Sequence, residues 1–516
     1  MPQDRPGDPR FAFRDPELYG RFRELLQREG FTEQGVAETL GIKKLRAVSV
    51  QDVPLLLERT AGGTPRDVLV RLFLISVPVA AEVCRRTLGA GWLEELLWAG
   101  LIAEHGGEVS GRVQLLPLEG FYLASDVPRR VEAGLPADFV MGIGSSSLTL
   151  ANFTIRRPVA RTLDLGTGCG FQALLATRHS RRVVATDRNP RAVRLAAFNA
   201  RLSGCGNVEC LEGDLFAPVQ GQQFDLVVTN PPFVISPESR YIYRDSGLGG
   251  DAITETIVRH VGPLLTEGGF CQILCNWAHF RGQDWRQRLA TWVEGTGCDA
   301  WVLRSDTLEA SAYAAKWIRH TERDAPERFA ERFREWTAYY ARSGIEAISG
   351  GLITLRRRQG RNWFRADDAP GTMRGPAGVS VAAGFALWDF LQQYPGDDAL
   401  GRIAVRRSPD CRLTQVLAPC DEGWRVEQMA MSLERGLAYS GTIDPYLAHL
   451  IARCDGKRTV DELLAELAQS TGEDLATLAP ACLAVIRRLI AQGFLLPVGL
   501  DLGGGALGEP PGPQRG

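Results

Sequence analysis

A chain of 516 residues with 45% hydrophobic and 23% charged side chains is long enough for two to four globular domains. Its net charge of −2 argues against a broad electrostatic grip on nucleic acid and leaves open only a local basic patch. Eleven cysteines without a Cys-x-x-Cys pair or companion histidine argue against a disulfide framework or a metal site; with no bilayer-length apolar run and no export-type N-terminus, a cytoplasmic location off the membrane is expected.

Residues 1–10 read as a disordered tail. From Phe11 to about Leu101 apolar residues recur at helical period, with Leu93, Leu96, Leu97 and Leu101 on one face. A strand-turn-strand pattern follows from Glu108 to Ala124, interrupted by Gly111, Pro117 and Gly120. Helices ending in a β-ribbon make 11–130 a winged-helix-like substrate-recognition module, docking on nucleic acid, on protein or only on the next domain. The connector from Asp138 to Arg161 carries Gly142-Ile143-Gly144-Ser145-Ser146-Ser147, which reads equally as a cover over a ligand or as a flexible link.

An apolar strand then closes on Asp164-Leu165-Gly166-Thr167-Gly168-Cys169-Gly170 before an apolar helix, a strand-loop-helix unit of a doubly wound α/β fold. Asp187 ends the next strand, at about the offset (roughly 20 residues) where such folds place an acid on ribose hydroxyls. The G-x-G-x-G spacing lacks the pyrophosphate pattern and the loop holds no basic residue, so a cationic, phosphate-free nucleoside fits better than a dinucleotide. Asn189 and Pro190 cap the following helix, which runs through Asn199. Asp214 closes the third strand region and is placed to accept from an adenine amino group. The fourth strand, Phe224 to Thr229, runs into Asn230-Pro231-Pro232-Phe233. Two prolines remove backbone donors, so the Asn230 side-chain oxygen and the Pro231 carbonyl both offer acceptors to a planar NH2 group, on which Phe233 can stack.

These motifs, DLGTGCG, Thr186-Asp187, GDLF and NPPF, resemble the class I S-adenosylmethionine-dependent N-methyltransferases. NPPFVISP followed by Tyr243-Arg244-Asp245-Ser246-Gly247-Leu248-Gly249-Gly250-Asp251 most resembles the HemK/PrmC enzymes, which modify the GGQ glutamine of release factors. The resemblance covers about 139–358. It implies a seven-stranded doubly wound sheet over 138–358 and S-adenosylmethionine as cofactor. Asp164, Gly166, Thr167, Gly168, Cys169 and Gly170 are then expected on its methionine side, Asp187 on its ribose, and Asp214 with Leu215 at its adenine. Asn230, Pro231, Pro232 and Phe233 form the catalytic acceptor site. Phe233 stands where HemK-type proteins usually carry Tyr, and Phe is also found there in rRNA guanine methyltransferases of the RsmC type. The acceptor is therefore a protein glutamine or, as the alternative, an RNA or DNA base; a non-catalytic cofactor-binding scaffold is the reading from another class.

Asp251 is expected to cap the helix before Gly268-Gly269. Strands follow at Phe270 to Cys275, Ala300 to Arg304 and Ile348 to Leu355, with a helical insertion from Ala310 to Ser343 carrying Trp317, Phe329, Phe333, Trp336, Tyr339 and Tyr340. Arg356-Arg357-Arg358, Arg361, Trp363, Phe364 and Arg365 mix basic and aromatic groups as single-stranded nucleic acid grooves do, or form a solvated strand end. Residues 359–375 read as a linker, 376–430 as a small mixed module and 431–500 as a C-terminal winged-helix-like module. In the last, Thr459-Val460-Asp461-Glu462 is a capping box, and DGKRTVDEL with GFLLP resembles the peptide-binding PqqD-like winged helices. The tail 501–516 reads as disordered.

Overall fold

The computed structural model describes residues 9–43, 45, 52–127, 136–237, 249–321, 326–421 and 423–502. Most of both tails and the stretch Tyr243 to Leu248 lie outside the described residues. The chain divides into two compact units, 1–151 with 158–366, and 152–157 with 367–516.

The first unit is built on one sheet. Helix α1 (Ser145–Phe153) leads to β1 (Val159–Leu165), α2 (Phe171–Ala176), β2 (Ser180–Asp187), α3 (Pro190–Leu202), β3 (Val208–Glu212) and β4 (Phe224–Thr229). There follow α4 (Ala252–His260), β5 (Leu265–Phe280), α5 (Trp285–Val293), β6 (Cys298–Glu309), α6 (Ala310–Thr321), α7 (Pro326–Ser343), β7 (Ile345–Arg357) and β8 (Phe364–Asp368). Strand order is β8-β6-β7-β5-β4-β1-β2-β3. The strands β3, β2, β1, β4 and β5 run parallel, and β7 is antiparallel to both β5 and β6. Leu163, Val183, Val184, Val227 and Ile273 are fully buried, as expected for a parallel sheet covered on both faces. Strand order reverses between β1 and β4, so a crevice opens beyond their carboxyl ends, at Gly166 and Asn230.

One feature departs from the expected seven strands closing at Arg358. β8 adds an eighth strand on the outer edge, beside β6, so the stretch read as linker begins inside the sheet. The arginines before it serve this edge: Asp299, 0% exposed on β6, accepts from Arg358 Nε at 2.6 Å, Arg356 Nε at 3.2 Å and the Trp363 N–H at 3.1 Å. Burial alone would raise that carboxyl, but the bonds from Arg358 and Arg356 hold it below its ordinary value. Two members of the arginine run are therefore occupied by an internal carboxylate.

The N-terminal residues fall in the same compact unit as the sheet. Helices Glu17–Arg28, Glu33–Leu40, Val53–Arg59, Pro65–Val70, Ala81–Leu88 and Ala90–Ala99 precede a hairpin, Ile102–His105 with Glu108–Gly111, and a ribbon, Val113–Leu118 with Phe121–Asp126. Gly106 and Gly107 turn the first hairpin with φ of 60° and 82°. Phe13, Phe22, Leu26 and Leu123 share one apolar cluster with Phe171, Leu195 and Phe198 of α2 and α3. Asn199, 0% exposed, fastens the joint: it accepts from Ala124 N–H (2.7 Å) and donates to the carbonyls of Ala124 (2.9 Å) and Cys169 (2.8 Å).

The second unit is continuous across residue 430. Strand Gly423–Leu433 crosses that boundary, and Ala404–Arg407 is the centre of a sheet flanked by Asp455–Thr459 and Leu495–Pro497. Helices Pro445–Arg453, Val460–Thr471 and Leu475–Gln492 complete this unit with Gly378–Gln393. The Thr459–Glu462 capping box forms, with Glu462 N–H on Thr459 Oγ1 at 3.3 Å and Thr459 N–H on Glu462 Oε2 at 2.8 Å. Leu475–Gln492 has the length and composition of a bilayer span, but its Leu483, Ile486, Leu489 and Ile490 are buried within the unit and Arg487 bonds the Tyr394 carbonyl.

Candidate active site

At the end of β1 the chain turns through Gly166, Gly168 and Gly170 with φ of 72°, 56° and 86°, a region where a side chain costs roughly 1–2 kcal/mol. The three do different work. A Cβ on Gly170 would come within 3.2 Å of Ala196, so this glycine lets α3 lie against the loop. Added atoms on Gly166 and Gly168 would meet no heavy atom within 4 Å, because both line an open cavity. Asp164 lies beneath, 2% exposed, accepting from Thr167 Oγ1 at 2.6 Å and the Ala173 N–H at 2.9 Å. Burial outweighs those bonds and pushes its carboxyl up to about 7.

Asp187, at the end of β2, accepts the Gly168 N–H and the Asn189 N–H, each at 2.9 Å, and burial raises its carboxyl. It thus braces the glycine loop as well as facing the cavity. Asn189 caps α3 by accepting from the Arg191 N–H at 3.0 Å and donates to the Asp138 carbonyl at 2.9 Å. Asp214 and Leu215 line the cavity beyond β3, with Leu215 in the left-handed region at φ 44°.

Across the cavity, β4 delivers Asn230, Pro231, Pro232 and Phe233. Asn230 Nδ2 donates to Ser146 Oγ at 3.2 Å, while its Oδ1 is buried without a hydrogen-bond partner. The Phe233 ring meets Trp317 of α6 edge-on, centroids 6.3 Å apart at 70°. Of the residues expected in the site from sequence, Asp164, Gly166, Thr167, Gly168, Cys169, Asp187, Asp214, Leu215 and Asn230 to Phe233 line this one cavity, whereas Gly170 lies behind it against Ala196.

Ser146 and Ser147 of the connector lie on α1 over the cavity, and Arg188 with Ile253 and Ile257 of α4, which no motif marks in the sequence, also line it. The 142–147 stretch is a cover rather than a loose link, since Gln172 Nε2 holds the Ser147 carbonyl at 2.7 Å. Trp317 was noted only among the aromatics of the insertion. Asp251 does not cap α4; it accepts from the Ala278 N–H at 2.7 Å and pairs with Arg288, joining α4 to β5 and α5.

Residues 141–279 match the family described as methyltransferase small domain. This part of the chain has a class I methyltransferase fold. Residues 28–112 and 382–497 match two domains of unknown function. The release factor glutamine methyltransferase of Salmonella typhimurium is 35% identical over 139 residues, 24% of this chain and 49% of that protein. The ribosomal protein uL3 glutamine methyltransferase of Bradyrhizobium diazoefficiens is 36% identical over 130 residues, 22% of this chain and 41% of that protein. The chain thus spans about half the length of the curated relatives it matches or less. The methyltransferase domain's cavity suits S-adenosylmethionine: the open faces of Gly166 and Gly168 leave room for close approach. Three carboxylates, of Asp164, Asp187 and Asp214, also stand against the single cation of Arg188, which favours a positively charged, phosphate-free ligand.

Proposed function

We propose that this chain is an S-adenosylmethionine-dependent N-methyltransferase whose acceptor is a planar NH2 group, the side-chain amide of a protein glutamine. The observation that carries the reading is Asn230. Its Nδ2 is tied to Ser146, so its buried, unpartnered Oδ1 is left at the cavity as an acceptor. A buried acceptor left unpaired costs about 1–3 kcal/mol, and an N–H of the substrate would recover it. Pro231 and Pro232 offer no competing N–H, so an amide nitrogen meets acceptors there.

S-adenosylmethionine supplies an electrophilic methyl group when bound. Asp164 and the loop from Gly166 through Thr167, Gly168 and Cys169 to Gly170 would hold its methionine part, Asp187 its ribose, and Asp214 with Leu215 its adenine. Asn230 and the Pro231 carbonyl hold the acceptor's N–H groups and draw its nitrogen lone pair out of conjugation, while Phe233 stacks on its plane. No strong base is needed, because the nitrogen becomes acidic only after it is methylated. Rate then comes mainly from proximity and orientation.

Two findings favour an amide over a base. Arg356 and Arg358 are committed to Asp299 and so are poor phosphate ligands, and the relatives carry glutamine methyltransferase names. The test adds the pure protein and methyl-labelled cofactor to an extract from cells lacking it, then divides the product between protease and RNase. We expect macromolecular label lost to protease and N5-methylglutamine on hydrolysis; label lost to RNase alone would move the acceptor to RNA.

A further inference from the structure

Helices α6 and α7 fill the connection between β6 and β7, two adjacent antiparallel strands that a short turn could join. Their contacts explain their presence. After Phe233 the chain passes through Val234 and Ile235, both buried and in neither helix nor strand. Buried backbone groups without regular partners must be satisfied elsewhere. Ile235 finds both partners on the insertion: its N–H donates to Tyr313 Oη at 3.2 Å, and its carbonyl accepts from Tyr340 Oη at 2.7 Å. Tyr313 Oη also accepts from Asn276 Nδ2 of β5 at 2.7 Å, which refers this clamp to the sheet. Both tyrosines are buried, so neither bond competes with solvent. One turn on from Tyr313, the same helix presents Trp317, whose ring packs on Phe233 and on Tyr313.

We propose that the α6–α7 insertion is the acceptor-positioning element: Trp317, packed edge-on against Phe233, forms with it an L-shaped aromatic slot whose Phe233 face takes the planar amide, and Tyr313 and Tyr340 fix the Pro231-to-Ile235 peptide that carries the slot. This inference rests on the N-methyltransferase reading. Two rings select a flat group, and Asn230 Oδ1 selects one that donates an N–H, so the slot favours a carboxamide over the tetrahedral amine of a lysine. Tyr313 and Tyr340 are positioning residues, acting through the backbone of Ile235.

The test measures initial rates of labelled methyl transfer against rising concentrations of extract from cells lacking the protein, with calorimetric affinity for S-adenosylhomocysteine on the same full-length variants. Trp317→Ala should raise the apparent KM for acceptor about tenfold, with S-adenosylhomocysteine affinity within about twofold of wild type, and Trp317→Phe should restore most of the loss. Tyr340→Phe, which removes a hydroxyl at nearly constant shape, should lower kcat more than it raises KM. An unchanged KM in Trp317→Ala with normal S-adenosylhomocysteine binding overturns the inference and leaves the N-methyltransferase reading standing. No transferred label with the wild-type chain removes that reading and the inference together. Should Trp317→Ala lose S-adenosylhomocysteine binding, Tyr340→Phe decides, and wild-type kinetics in it overturns the inference.

Discussion

Asp187 and Asn230 face one cavity from opposite walls, and their hydrogen bonds assign them separable work. Asp187 braces the glycine loop through Gly168, so Asp187→Ala removes a charged acceptor and frees a backbone donor together. Cofactor affinity should fall by roughly 1.5–3 kcal/mol, the range for a bond to a charged group. Asn230 hydrogen-bonds Ser146 and none of the residues assigned to the cofactor, so Asn230→Ala should leave cofactor binding nearly intact and stop turnover. Calorimetry with S-adenosylhomocysteine beside a turnover assay separates them; equal loss of affinity in both variants would refute the division. Asp164 adds a dependence on pH. Burial raises its carboxyl from 3.8 to about 7, so its contribution to stability is full below pH 3.8 and is lost as pH rises through 7. A cationic cofactor favours the carboxylate, so binding near pH 6.5 should release protons, and affinity should rise between pH 6 and pH 8. Titration in two buffers of different ionisation enthalpy reads that release directly; identical heats and a flat affinity profile would contradict it.

Among the elements, β1, its glycine loop, β4 and the NPPF turn were legible in the sequence, because glycines and prolines there fix backbone geometry and leave few alternatives. What local pattern could not reveal was pairing at a distance. The arginines at 356 and 358 look like a basic surface until Asp299, on a strand nearly 60 residues earlier, is brought beneath them. Residues 364–368 carry a polar pattern that suits a linker, and only the free edge of β6 makes them a strand. Asp251 has the position of a cap, but a longer-range demand from the Ala278 N–H and Arg288 wins. Packing across residue 130 was hidden for the same reason, since the sequence gives no sign that the ribbon's Ala124 will be gripped by Asn199 of α3. That joint supplies its own prediction. Asn199→Ala leaves the Ala124 N–H and the carbonyls of Ala124 and Cys169 without their partner in a closed interior. At about 1–3 kcal/mol for each orphaned group, the loss should exceed about 3 kcal/mol. It should appear as a lower urea midpoint at an unchanged slope. Because Cys169 belongs to the glycine loop, S-adenosylhomocysteine affinity should weaken as well, unlike in Asn230→Ala.

At the scale of the whole molecule, 59 basic and 61 acidic side chains nearly cancel, so recognition of an acceptor must come from local shape and hydrogen bonding. The best basic candidate for holding a polyanion is the arginine run, and two of its members already neutralise a buried carboxylate. Turning either toward a phosphate would strip Asp299 of compensation in a dry site, which is expensive for a buried ion pair. Arg356→Ala should therefore lower stability, visible as a reduced melting temperature, and should leave acceptor KM nearly unchanged. Salt gives the matching test on the intact chain. An acceptor held through 6–10 phosphates loses about 10³–10⁵ in affinity between 50 and 200 mM salt, because each contact releases counterions. A glutamine side chain placed by Asn230, Phe233 and Trp317 is held by short-range contacts that screening barely reaches, so KM should change by less than about threefold over that interval. A steep dependence that survives Arg356→Ala would place the polyanion on another surface and return the choice to an RNA base. A shallow one, with N5-methylglutamine in the labelled protein, assigns the acceptor to an amide recognised by short-range contacts on the Asn230, Phe233 and Trp317 wall.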